Sequence, residues 1–288
     1  MTAQVLDGEA VAARIKEELA GRVSALREQG IAPGLGTILV GDDGPSANYV
    51  AMKHRDCEAI GIESFHRHLP ATSTQAEVEA AVDEFNAEVG IDAYLIQYPF
   101  PDGLDFESAL LRMDPAKDVD GLHPVSLGKL VMGTAGPRPC TPVGIVELLK
   151  AYDIDLKGQH VVVVGRGLTI GRPLANLLTL KEPGLNAGVS VVHTGVPDLS
   201  RYTLDADVLV AAAGSPGLIT AEMVRPGAVV VAAGVTFQGR KIISDVADDV
   251  AEVASWLSPR MGGVGPMTRA MLLRNCVDAA EARAALTS

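Results

Sequence analysis

Apolar positions along the chain recur with two spacings. Val11, Ile15, Leu19, Val23 and Leu26 fall three or four residues apart, which predicts an amphipathic helix with Asp7 placed to cap it. Residues 37–40 form a compact apolar run and read as a buried strand, after which Ser46 opens a helix that carries Tyr49 and Lys53. Residues 63–68 alternate like a strand. Residues 74–89 return to helical spacing, with Val78, Val82 and Phe85 on one side. Residues 93–97 are a further buried strand, stopped by Pro99 and Pro101. The order strand, helix, strand, helix, strand makes a parallel sheet with covering helices the natural solution.

Residues 114–121 read as a polar turn and residues 137–142 as a rigid Pro-rich loop, with Thr141 placed to cap a helix starting at Pro142. A fresh α/β series follows Lys157-Gly158, with strands expected over 161–164, 189–193, 208–212 and 228–232 and a last helix over 267–285. The fold class is therefore α/β, with two α/β domains flanking a cleft and the second Rossmann-like. The expected division is a catalytic domain over 1–140 and a dinucleotide-binding domain over 141–267, with the helix 268–288 returning to the first. No internal repeat or low-complexity segment interrupts this pattern.

Composition narrows the picture. The 288 residues suffice for two domains with real cores, and 48% of them are hydrophobic. No apolar run reaches the roughly 18–20 residues of a membrane span, and the first residues lack the pattern of a secretory signal. With 24 basic and 36 acidic residues the formal net charge is −12, which disfavours nucleic acid and anionic membranes as partners. Cys57, Cys140 and Cys276 are odd in number and far apart, which fits buried, reduced thiols in a cytoplasm. The six histidines form no convincing metal set, although His66 and His68 share a strand face.

Glycines 165, 167 and 171 follow a buried strand and precede the helical run through Leu174, Leu177 and Leu178. Such a turn lets backbone amides and a helix N-terminus approach a pyrophosphate. A tight strand–helix turn without ligand has the same pattern, and the spacing is one residue longer than Gly-x-Gly-x-x-Gly. The preceding strand and the βα units that follow favour the nucleotide. Where an NAD enzyme places a ribose-binding carboxylate, this chain has His193 and Thr194, with Arg166 in the turn, a set that favours NADP. Gly214 and Gly234 follow the third and fourth strands of the series, leaving room for a nicotinamide ring or making ordinary tight turns.

Tyr49 and Lys53 stand at i and i+4 and so share a helix face. Gln97 ends a strand and Asp120 precedes a helix, so both are brought toward the ligand-binding edge of a parallel sheet. Each alone has a bland reading: a solvated pair, a loop-satisfying amide, a helix cap. Their convergence favours a site.

With these residues in view the chain resembles the bifunctional bacterial methylenetetrahydrofolate dehydrogenase/cyclohydrolase family over essentially its whole length. The resemblance rests on Val40-Gly41 through Ser46, Tyr49 and Lys53, and on Gln97, Pro99 and Pro101. Residues 117–124, 139–142, Gly165-Arg166 with Gly171-Arg172-Pro173, and 262–268 complete it. It implies that Tyr49 stacks on the folate ring, Lys53 is the catalytic amine, Gln97 tunes it, and Asp120 grips the pterin. It implies NADP as cofactor, held at Gly165, Arg166, Gly167, Gly171, Thr194, Gly214 and Gly234, with Arg166 and Thr194 on the 2′-phosphate. Gly262 and Gly263 would border the folate, and the protein would be a homodimer. The reaction would oxidise the carbon bridging N5 and N10 and then hydrolyse the methenyl cation to 10-formyltetrahydrofolate. An ammonium opposes that cation and a carboxylate favours it, so Lys53 works best as a neutral amine that takes a proton during hydrolysis.

Several positions depart from the family pattern: Tyr98 and Phe100 replace leucines, Arg260-Met261 replaces Val-Pro, Ala232 replaces an Asp, and Gly167 replaces a serine. They leave room for a paralogue with one activity, or for a non-catalytic nucleotide- or folate-binding protein. A short-chain dehydrogenase also uses Tyr-x-x-x-Lys, but its nucleotide glycines come first in the chain. Here the pair precedes them by over a hundred residues, at 49–53 against 165–171.

Overall fold

The computed structural model describes residues 2–239 and 241–287. In chain order its first elements are β1 (Gln4–Val5), α1 (Gly8–Glu28), β2 (Gly34–Val40), α2 (Gly44–Ile60), β3 (Glu63–Leu69), α3 (Gln75–Ala87) and β4 (Ala93–Ile96). Next come α4 (Phe106–Arg112), α5 (Pro124–Met132), α6 (Cys140–Ala151), β5 (His160–Val164), α7 (Gly171–Leu178), β6 (Gly188–Val192) and α8 (Ser200–Thr203). The chain ends with β7 (Val208–Ala211), β8 (Val229–Ala232), β9 (Val235–Gln238), β10 (Lys241–Ser244), β11 (Trp256–Leu257) and α9 (Val264–Thr287).

The fold is two-domain α/β. One compact unit comprises Arg14–Lys129, Ala135–Cys140 and the chain from Arg269 onward. Its sheet is fully parallel in the order β3-β2-β4. The central strand β2 is buried along its whole length, which is why its sequence is a continuous apolar run rather than an alternation. Ile38, Val40, Val78, Val82, Phe85, Tyr94 and Ile96 form the core on one side of this sheet. The end of α9 is tied into the same unit by charge: Arg283 binds the buried Asp92 carboxylate at 2.6 and 3.1 Å, and Arg22 binds Glu281 at 2.9 and 2.7 Å.

The other unit comprises the chain up to Ala13, Leu130–Thr134 and Thr141–Thr268. Its six-stranded parallel sheet runs β1-β11-β8-β7-β5-β6, and β9 with β10 forms a separate antiparallel hairpin. The chain leaves β5 for β6 on one side and then crosses to β7 on the other. The smaller sheet does the same, with β3 and β4 flanking β2. Each sheet therefore has a switch point beside its first long strand, the place where open α/β sheets bind ligands.

Helix signals fall close to expectation, with two local differences. Asp7 caps α1, accepting the Ala10 N–H at 3.0 Å. Asp43, not Ser46, caps α2: its Oδ2 accepts the Ser46 N–H at 2.9 Å, so the helix starts at Gly44. The Asx geometry three residues earlier outcompetes the serine. Likewise α6 begins at Cys140, so Thr141 lies inside it rather than capping it, and its hydroxyl meets that of Thr268 at 3.0 Å. Thr74 and Glu77 form a full capping box on α3. Ser288, the end of the expected last helix, and Met1, the start of the expected first domain, lie outside the described residues.

Candidate active site

In the smaller-sheet unit, α2 presents Tyr49 and Lys53 one turn apart, and Gln97 follows directly on β4. The Lys53 Nζ donates to Gln97 Oε1 at 3.1 Å. Gln97 in turn donates its amide N–H to the Tyr98 carbonyl at 2.7 Å, which turns its oxygen toward the amine. The amide is thus held at both ends, and a held acceptor fixes the lysine. Asp120 is close enough to Lys53 for their charges to interact. Burial pushes its carboxyl above the ordinary carboxylate range, and the lysine partly opposes that shift. Tyr49 is 37% exposed, so part of its side chain reaches solvent, and burial of the remainder raises its hydroxyl pKa against the pull of Arg269.

The loop that presents Asp120 is braced by groups that the sequence pattern did not single out. Asp118 is buried and accepts the Gly121 and His123 N–H groups at 3.0 and 2.8 Å, so it shapes the turn. Asn275 donates to the carbonyls of Val119 and Arg138 at 2.8 and 3.0 Å. A polar residue between Arg274 and Cys276 on an otherwise apolar helix face was the signal for it. Cys140 donates its thiol to the Val119 carbonyl at 3.2 Å. Burial and the Asp120 charge push that thiol far up, so it is an inert packing group. Burial likewise pushes Cys57 up to about 12. All three cysteines are buried and free. Beyond Tyr49, Asp56 holds Arg269 at 2.7 Å and Lys16 at 2.9 Å. Tyr98 and Phe100 both turn ring edges against Phe106, at centroid distances of 5.3 and 5.2 Å.

In the larger-sheet unit the candidate residues are mostly backbone. Gly165 ends β5 at φ +124°, and a Cβ there would lie 2.1 Å from the Ala212 carbonyl oxygen. A Cβ on Gly171, which opens α7, would lie 2.2 Å from the Gly165 oxygen. These two glycines make a bare cradle that any side chain would fill, which is the shape a pyrophosphate needs. Gly167 has open space around it. Arg166 and Thr194 are exposed at the ends of β5 and β6. The Arg166 Nη1 lies 3.4 Å from His193 Nε2, while Gly195 N–H is 3.0 Å from His193 Nδ1. A neutral imidazole accepts at only one nitrogen, so the ring cannot satisfy both donors.

Gly214 and Gly234 follow β7 and β8, and both approach Asp245, an acid the sequence reading passed over between Ser244 and Val246. Gly262 and Gly263 have packing reasons of their own. The Gly262 carbonyl accepts the Glu9 N–H at 3.0 Å, and a Cβ on Gly263 would lie 2.4 Å from the Pro259 oxygen. Arg260 is half exposed and lies 3.9 Å from the exposed Asp248. Among the described residues no group of three or more His, Cys, Asp or Glu is placed to hold a metal.

A lysine–amide–carboxylate set at one switch point and a glycine cradle at the other define a two-domain α/β enzyme of the dehydrogenase class. Comparison with known proteins gives the family. Residues 6–120 match the tetrahydrofolate dehydrogenase/cyclohydrolase catalytic domain, and residues 139–284 match the NAD(P)-binding domain of the same family. The bifunctional protein FolD of Syntrophotalea carbinolica is 56% identical over 284 residues, covering 99% of this chain and 98% of that one. Among solved structures, the bifunctional FolD methylenetetrahydrofolate dehydrogenase/cyclohydrolase of Campylobacter jejuni is 41% identical with a TM-score of 0.93, covering 98% of this chain and 99% of that one. The Trypanosoma brucei enzyme, solved with NADP and an inhibitor, is 36% identical with a TM-score of 0.92, covering 99% of each chain. The chain belongs to the tetrahydrofolate dehydrogenase/cyclohydrolase family.

Proposed function

We propose that this chain oxidises 5,10-methylenetetrahydrofolate with NADP and hydrolyses the resulting methenyl cation to 10-formyltetrahydrofolate. The observation that carries the reading is the Lys53–Gln97 hydrogen bond of 3.1 Å with the Asp120 carboxyl alongside. NADP, when bound, accepts the hydride. The chain's own residues supply the rest. Tyr49 offers a half-exposed ring as a stacking face for the folate, and Asp120 offers a carboxyl to the pterin N–H groups and to the positive charge left by hydride loss. Gln97 holds the Lys53 amine at a fixed point, where it takes a proton as water adds to the cationic carbon.

The glycine cradle fits a dinucleotide phosphate. Arg166 with Thr194 favours the 2′-phosphate of NADP, because the guanidinium is left without full use of its neighbouring imidazole. A cytoplasmic homodimer completes the proposal. Three buried free thiols suit a reducing compartment, and light scattering checks the dimer. Among the described residues no helix is long and apolar enough to cross a membrane. The decisive assay follows reduced nucleotide at 340 nm, with methenyl product measured after acid quench. Nucleotide reduction without methenyl build-up is the expected result. Accumulating methenyl product would leave only the dehydrogenase, and no reduction with either nucleotide would overturn the reading.

A further inference from the structure

Asp245 follows β10 and is fully buried. Its Oδ2 accepts the N–H groups of Ala213 at 2.7 Å and Gly214 at 2.8 Å. A Cβ on Gly234 would sit 1.9 Å from that same oxygen, and the Asp245 N–H donates to the Gly234 carbonyl at 3.0 Å. One carboxylate therefore ties together the turns that follow β7 and β8. Its other oxygen, Oδ1, is buried and has no hydrogen-bond partner among the described residues.

The clamp alone does not account for a charge. Two N–H groups converging on one oxygen are satisfied equally by an amide or a hydroxyl, whereas a carboxylate with one dry oxygen leaves desolvation uncompensated. The sheet order gives the charge a use. From β6 the edge runs through β5 to β7 and β8. A dinucleotide laid along it, with its 2′-phosphate end at β6 and its pyrophosphate at the β5 cradle, brings its nicotinamide to the turns after β7 and β8. Those turns are Ala213-Gly214 and Ala233-Gly234, whose lack of bulk lets a ring approach the backbone that Asp245 holds from behind. The oxidised nicotinamide carries a positive charge and the reduced one does not. The nearby Asp248–Arg260 pair is exposed on both sides and therefore screened.

We infer that Asp245 is a positioning residue that favours the oxidised nucleotide: a fixed, dry carboxylate behind the nicotinamide turns supplies the counter-charge that the cationic ring needs. The arrangement is pre-organised, since the backbone N–H groups hold the carboxylate before any ligand arrives. The inference rests on the NADP reading above.

The test is binding rather than turnover. Dissociation constants for NADPH, by its fluorescence, and for NADP+, by displacement, are measured for the wild type, Asp245→Asn and Asp245→Ser. The asparagine keeps a side-chain oxygen at the same reach for the Ala213 and Gly214 N–H groups, and both variants remove the charge. The expected result is that the Kd ratio of NADP+ to NADPH rises roughly tenfold, the size of one unscreened charge at ring distance. The NADPH Kd itself should stay within about twofold of wild type. Equal weakening of both forms would make Asp245 a structural clamp only and overturn the inference, as would no change in either. In the wild type, which needs no variant to fold, the ratio should hold steady between about 0.05 and 0.5 M salt because the charge is buried. A ratio that drifts with salt would assign the preference to exposed charges and overturn the inference. Wild-type protein that bound neither form would overturn the NADP reading itself, a failure distinct from the loss of selectivity.

Discussion

The two candidate sites are built from opposite materials. At the smaller sheet the chemistry stands on side chains: Lys53 fixed by Gln97, Asp120 on a loop braced by Asp118 and Asn275, Tyr49 half exposed on α2. At the larger sheet it stands on the absence of side chains, with Gly165, Gly171 and Gly234 at points where a Cβ would strike carbonyl or carboxylate oxygen. Side-chain sites fail when a functional group is removed. Backbone sites fail when an atom is added. The same single methyl group is harmless in one and ruinous in the other, so the two sites answer to different mutations.

The largest effect should come from removing the amine. Lys53→Met keeps the length of the side chain and loses the proton acceptor, so cyclohydrolase activity should fall about a thousandfold. Nucleotide binding, which belongs to the other site, should be unchanged in a fluorescence titration. Full hydrolysis of methenyltetrahydrofolate by the variant would break the assignment of chemistry to side chains here. Asp120 gives a graded version of the same test. Its carboxyl titrates above the ordinary aspartate range of about 3.9, so the anion is present above its raised pKa and is lost as pH falls through it. The dehydrogenase rate should therefore show an acid limb above that range. Asp120→Asn should lower the rate roughly a hundredfold and flatten the limb. An unaltered limb in the variant would assign it to another group.

At the backbone site the matching experiment adds an atom. Gly165→Ala forces a side chain into the left-handed region and against the Ala212 oxygen. The local turn must shift, and NADP affinity should fall roughly thirtyfold from strain of about 2 kcal/mol. Isothermal titration reads it, and wild-type affinity would mean that the cradle is not the phosphate site. Arg166→Ala should act on discrimination instead, costing NADP about tenfold relative to NAD through loss of one charge-assisted contact. Equal loss of both nucleotides would place Arg166 on a phosphate they share.

These differences also explain what could be read from the chain. The strands β2, β4, β5, β7 and β8 were legible because each is buried on both faces and therefore continuously apolar. The two-residue strands β1 and β11 are too short to carry a period, and the hairpin β9–β10 lacks one long enough to separate from its turn. Tyr49, Lys53, Gln97 and Asp120 were nameable because their residue types announce chemistry. Asp245 and Asn275 were not, since each acts by bonding backbone that only the folded chain brings near, and Asp118 was not because its partners are N–H groups of its own turn, which any polar loop offers. The start of α2 shows the same limit at small scale: Asp43 and Ser46 both make good caps, and the loop geometry chose the acid.

The glycines of the turn sharpen the comparison at its smallest scale. Gly165, Gly167 and Gly171 look alike in sequence, yet they face different surroundings. Gly165 needs a positive φ and a Cβ on Gly171 would lie 2.2 Å from a carbonyl oxygen, while nothing lies within 4 Å of a Cβ built on Gly167 and its φ lies outside the left-handed region. Gly167 lacks a packing reason to be glycine, so its only reason would be the approach of a ligand. Gly167→Ala should leave the melting temperature where it is and change NADP affinity less than about twofold, since an exposed site that tolerates a methyl group costs little. A large loss of affinity with unchanged stability would show that phosphate passes over Gly167 itself. The cradle would then extend from the two buried glycines to the exposed one between them, and the longer spacing of this turn would be part of how it grips its ligand.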